Sequence, residues 1–163
     1  MLKLDIQLFA RKKNALREHY VADYKGADEE SGEDTKPVAG DYLRLAHRVT
    51  TVQDDSQDNT EEEGDYSGDG DTEMEVTSVT ERWTTSGTYD AENPAQALIA
   101  SKKRLSGDGR KIWHKVVQTD GKVYEGVATL TDIRAGSGDA TAFEEFAATI
   151  NHKGVPKEVV VGG

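Results

Sequence analysis

The chain reads as a mainly β protein: an antiparallel β-barrel or sandwich with one flanking α-helix. Three observations predict this. Runs rich in β-branched and aromatic residues recur, each bounded by Gly, Pro, Asn or Asp. Two of them are joined by Thr119-Asp120-Gly121, and Asp-Gly between β-rich runs is the strongest short hairpin signal. One segment carries a complete helix signal, and no strand–helix–strand rhythm points to a parallel sheet.

In chain order, MLKLDIQLFA comes first. Leu2, Leu4, Ile6 and Leu8 alternate with Lys3, Asp5 and Gln7, which suits an arm or a strand added to a neighbour. The charges break the apolar run a signal peptide needs. Arg11-Lys12-Lys13 reads as a solvated hinge. Residues 15–24 fit a short helix or a strand. Residues 26–40 form an acidic loop punctuated by Gly26, Gly32, Pro37 and Gly40. A strand follows over 42–52, with Leu43, Leu45, His47, Val49 and Thr51 on one face. A second strand covers 73–85, and Gly87 ends it.

The helix comes next. Asn93 is a good N-cap and Pro94 a good first helical residue. Ala95, Leu98, Ile99 and Lys102 share a face, and Lys102, Lys103 and Arg104 complement the macrodipole in the last turn. Strands over 110–118 and 122–134 make the hairpin, and Gly136 and Gly138 mark the next turn. Residues 141–150 are ambiguous. Thr141 and Glu144 suit a capping box and Phe143, Phe146, Ala147 and Ile150 have helical spacing, yet Phe146, Ala148 and Ile150 alternate. The terminal VVVGG reads as a strand or a tail. The count is four or five strands.

Composition narrows the function classes. The length of 163 residues fits one domain, and 35% hydrophobic content implies a small core that a partner surface could complete. The absence of cysteine excludes disulfides, thiolate metal sites and thiol nucleophiles. A net charge of −11 opposes tight nucleic-acid binding, which needs Lys and Arg to displace counterions. No apolar run approaches a membrane span.

That charge is concentrated. Residues 53–75 hold eleven carboxylates and no Lys or Arg, so the rest of the chain is neutral. The stretch reads as a solvated acidic loop, disordered in the isolated chain. Asp65, Ser67, Asp69 and Gly70 match the start of a calcium loop, but the twelfth position is Val76 instead of Glu. An extracellular calcium-dependent binding module is the alternative this keeps open. His19, His47, His114 and His152 lie singly, without metal-site spacing, and read as surface or core residues. No serine elbow, phosphate loop or cofactor fingerprint is present, so no catalytic, cofactor-binding or metal residues are assigned and no enzyme is expected. Trp83 and Trp113 read as core residues of strands.

The order of pieces resembles the major tail protein, the tail tube protein, of long non-contractile-tailed phages and prophages of Gram-positive bacteria. The resemblance rests on YLRLAHRVTTV, the long polar loop, TERWTTSGTYD, the AENPAQALIASKKRL helix and DGKVYEGVATLTDIRAGSGDATAFEEFAATINHKGVP. It implies a tail-tube β domain over 41–156 with the acidic loop 53–75 inserted. An N-terminal arm, first strand and loop over 1–40 precede it, and a tail over 157–163 follows. It favours a strand over 144–153. It implies a self-assembling virion protein, made into rings in the host cytoplasm, with the tape measure protein and the tail terminator or tail-tip proteins as partners. DNA would pass through the lumen without specific binding. Asp54, Asp55, Asp58, Glu61, Glu62, Glu63, Asp65, Asp69 and Asp71 would form an inter-ring or lumen-facing acidic loop. Lys102, Lys103, Arg104, Arg110 and Lys111 are candidate subunit-interface bases. Another barrel-fold virion part, such as a tail terminator, is a further alternative.

Overall fold

The computed structural model describes residues 11–64, 66 and 70–160. Its strands are β1 Glu18–Asp23, β2 Leu43–Arg44, β3 Val49–Asp54, β4 Gln57–Glu63, β5 Glu73–Thr80, β6 Arg82–Thr88, β7 Lys111–Val117, β8 Val123–Ser137, β9 Glu145–His152 and β10 Lys157–Val159, with helix α1 Pro94–Ser101 between β6 and β7. One antiparallel sheet runs β2-β1-β7-β8-β9-β6-β3, with β10 added to the start of β8. It curls into a half-barrel. β4 and β5 pair only with each other. The predicted mainly β class with one helix holds, but the barrel is open between β2 and β3.

Alternation builds the core. Ile112, His114 and Val116 of β7 point inward, as do Trp83 and Thr85 of β6 and Phe146, Ala148 and Ile150 of β9. β8 would lose that phase over its length, and bulges restore it. Asp132, with φ 51°, offsets the register so that Ile133 follows Ala128 and Leu130 into the core. Gly136, with φ 83°, makes a second bulge inside β8, where the sequence suggested a turn.

The helix is the element the sequence describes best. Asn93 Oδ1 accepts from the backbone N–H groups of Ala95 and Gln96 at 3.1 and 3.2 Å. Ala95 and Ile99 are fully buried in the core. The helix is one turn shorter than expected. Lys102 is its C-cap, and Lys103 and Arg104 lie beyond it.

Three other expectations are corrected. The single strand over 42–52 is broken at 45–48, where Arg48 has φ 60°; Leu45 is buried and His47 exposed, so they do not share a face. The single strand over 73–85 is two strands in two sheets, broken at Glu81. The strand count is ten among the described residues, because short strands and breaks hide in polar sequence. Part of the terminal tail is captured as β10. The alternation in 141–150 wins over its helical spacing. β9 lies between β8 and β6, and Phe146 is buried while Phe143 is exposed.

Gly87 fixes the junction of β6 with β3. A Cβ there would lie 2.0 Å from the Arg48 carbonyl oxygen and 2.8 Å from Val49 Cα. Both are backbone atoms held by the ladder, and Thr88 N–H donates to that same carbonyl at 2.9 Å. Gly87→Ala is therefore expected to cost about 3 kcal/mol in urea unfolding, the upper end of overpacking penalties. A cost within about 0.5 kcal/mol, the range of a neutral surface change, would show that the strands can separate there.

Candidate functional site: an acidic arm beside an open sheet

β3–β6 and β4–β5 are two halves of one long hairpin. Pairing runs from Val49↔Gly87 to Asp54↔Trp83, breaks, and resumes from Gln57↔Thr80 to Glu63↔Glu73. The inner half belongs to the sheet. The outer half projects as an arm about 23 Å long at 3.3 Å per residue. Every residue of β4 and all of β5 except Thr80 is exposed.

The stretch 53–75 is thus not the free loop expected. Polar sequence masked its strand. QDNTEEE has no apolar residue, and only the Met74–Val76 alternation of its partner hinted at pairing.

The break is built by side chains. Asp54 Oδ1 accepts from the Ser56 backbone N–H at 3.0 Å and from the Ser56 hydroxyl. The Asp55 carboxylate accepts from the Thr84 hydroxyl, and Asp55 N–H donates to the Arg82 carbonyl at 2.8 Å. Opposite, Glu81 Oε1 accepts from Trp83 Nε1–H at 2.6 Å, and partial burial holds its carboxyl above the ordinary range. Asp54 and Asp55 therefore serve the arm's root. Asp58, Glu61, Glu62 and Glu63 lie along the arm and Asp71 just before β5. Asp65 and Asp69, with Ser67 of the suspected calcium loop, lie outside the described residues.

The arm has two unlike faces. The register pairs Glu61 with Glu75 and Glu63 with Glu73, so one face sets like charges opposite each other. The other pairs Glu62 with Met74, Thr60 with Val76 and Asp58 with Val79. A bulge between Asn59 and Thr60 absorbs one residue of β5, which brings Val79 into line with Met74 and Val76. All three stay exposed, at 62%, 52% and 39%. Among the described residues, no arm carboxylate has an ion-pair partner within the chain. Nor do three His, Asp or Glu side chains converge as a metal site among those residues.

The candidate interface bases gather after α1, but they are not equivalent. Lys102 is buried, with Nζ 2.7 Å from Asp23 Oδ1, because it continues the buried face of the helix. Arg110 donates to the carbonyls of Leu105 and Lys103 at 2.7 and 2.5 Å, tying down that turn. Lys111 pairs with Asp108 at 2.7 Å and lies over the Tyr24 ring. Lys103 is half-buried, and Arg104 is exposed.

No protein-family model matches the chain, and no curated protein matches it. Solved structures do. A chain from the tail of an empty GTA particle, determined by helical refinement with C6 symmetry, superposes with a TM-score of 0.63 at 10% identity, covering 91% of this chain and 99% of that one. The fold is tail-tube-like. A chain from the sheath–tube complex of an extracellular contractile injection system, PVC, in its extended state superposes at 0.50 with 14% identity, covering 93% and 95%.

Inside this tail-tube-like fold lies a feature the sequence reading missed. His19, His114 and His152, scattered in sequence, form a row across the core. His19 Nδ1 is 3.2 Å from His114 Nε2, and His114 Nδ1 is 2.8 Å from His152 Nε2. All three are buried, and the Trp83 ring meets His19 edge-on. The available signal was register: β1, β7 and the end of β9 each carry one histidine at an inward position.

The row is neutral in the folded chain. Burial pushes His19 and His152 down to about 4, with the Arg17 cation adding to the effect on His19, and drives His114 well below the ordinary imidazole range. His152 Nδ1 is buried without a partner. A bare acceptor costs less there than an unpaired N–H, so the bonds run from His152 Nε2–H to His114 and from His114 Nε2–H to His19.

The unfolded chain protonates these rings first, so stability is complete above about pH 6.5 and is lost as pH falls toward 4. Urea unfolding is expected to lose about 1.5 kcal/mol per ring between pH 6.5 and 5, above the carboxylate range. A flat profile over that window would contradict a neutral row.

Proposed function

We propose that the chain is a structural, non-catalytic subunit of a phage tail tube. Copies join into hexameric rings that stack around a tape measure protein, with terminator and tail-tip proteins at the ends. DNA crosses the lumen without specific binding. The chain works in the virion, in a long non-contractile tail of a phage or prophage of Gram-positive bacteria, and is assembled in the host cytoplasm.

The observation that carries this reading is the arm: an exposed anionic ribbon rooted in an open sheet, on a fold matching nearly the whole of a tail chain arranged with C6 symmetry. An unpaired edge invites pairing with another chain, so an open half-barrel suits ring closure. The arm extends about 23 Å at 3.3 Å per residue, a projection suited to contacting another copy. Carboxylates facing a narrow bore would repel phosphate within about 8 Å at physiological salt, which favours passage over binding.

Electron microscopy of the concentrated protein tests the reading. Tubes of uniform width are expected; a protein that stays monomeric alone and with its tail partners contradicts it. Replacing 57–80 by a short turn should leave a subunit within about 0.5 kcal/mol of full stability, since the arm buries so little. It should also abolish long tubes.

A further inference from the structure

The apolar stripe of the arm has a matching surface elsewhere on the same chain. A groove of about 290 Å³ opens where the half-barrel fails to close, against the turn Asn14–Leu16, β2, the 45–48 connection and β3. Ala15, Leu45, Ala46, Val49 and Val52 give it an apolar floor. Arg17 and Arg44 stand in its wall, and Glu18 there is paired with Arg44 at 3.4 Å. Arg11, Lys12 and Lys13 lie exposed just before it. No residue of the arm lines the groove, although β3, which leads into the arm, does.

The two surfaces are complementary in kind. The arm offers Met74, Val76 and Val79 in a row, edged by Asp58 and Glu62. The groove offers an apolar floor edged by arginine, with a basic run beside it. An exposed apolar row on a projecting arm marks an interaction site. The arm carries no base, whereas the groove and its approach carry five, so charge selects orientation as well as partner. We propose that the arm of one copy docks its Met74–Val76–Val79 face into this groove of a second copy. The Glu61, Glu63, Glu73 and Glu75 face is thereby left outward. This rests on the tail-tube reading and names the contact through which subunits hold one another.

The chain has no cysteine, so a disulfide can report the contact. Full-length Val76→Cys and Ala46→Cys variants, both at exposed positions, are mixed under assembly conditions and oxidised. The expected result is a Val76–Ala46 cross-linked dimer, absent when Leu105→Cys, exposed elsewhere, replaces Ala46→Cys. Val76→Asp should leave the unfolding midpoint unchanged and reduce tube formation at least about tenfold, as loss of one buried anchor does.

Wild-type tubes with no cross-link, and normal tubes from Val76→Asp, would overturn the docking while leaving the tail-tube reading intact. A cross-link from Leu4→Cys to Ala46→Cys in its place would give the groove to the N-terminal segment and also overturn it. Failure of the wild type to form tubes would remove both.

Discussion

The placement of β6 between β3 and β9 is the constraint on which the rest of the structure depends. On one side its ladder with β9 carries Trp83 and Thr85 into the core; on the other its ladder with β3 sets the last edge of the sheet. Gly87 permits the backbones to approach at one end. At the other end the same two strands run past Glu81 and Ser56 to become the arm. The arm is therefore not an insertion hung from a loop. Its direction is set by the register of the core sheet, so a packed interior aims a polar ribbon that has no interior of its own.

Charge and burial divide the molecule cleanly. The body is nearly neutral and holds a small core, while the arm carries most of the net charge and buries almost nothing. A two-stranded ribbon alone in water is marginal, and Glu61–Glu75 and Glu63–Glu73 weaken it further. Its other face keeps three apolar side chains in water. Both terms favour a partner that covers the apolar row and sets bases near the acids. The low hydrophobic content makes the same point at the scale of the chain: its core is small, and apolar side chains such as Met74, Val76 and Phe143 stay exposed. An open half-barrel, an uncovered stripe and a self-repelling ribbon would each gain from a covering partner.

Local chemistry was the legible part of the fold. Asn93-Pro94 placed the helix start and Asp120-Gly121 the hairpin, because capping and turn geometry depend on a few adjacent residues. Breaks were harder. Arg48 at φ 60° and Asp132 at φ 51° are non-glycine residues held left-handed by surrounding ladders, so nothing at those positions announces a break or bulge. The arm strand β4 was hidden because its apolar alternation is absent; its partner imposes the strand. Lys102 looked like a surface base, but the buried helical face it shares with Ala95 and Ile99 carries it inward to Asp23. The histidine row was invisible for a different reason. Three single residues from three strands meet only through registers that tertiary pairing sets.

A helical cryo-EM reconstruction of assembled tubes tests most directly the proposal that the arm is an assembly element between copies. Each arm is expected to remain a two-stranded ribbon and to lie on a subunit of an adjacent ring, with Met74, Val76 and Val79 buried against it. Arms projecting freely into the lumen or outward, with rings stacked through other surfaces, would contradict it.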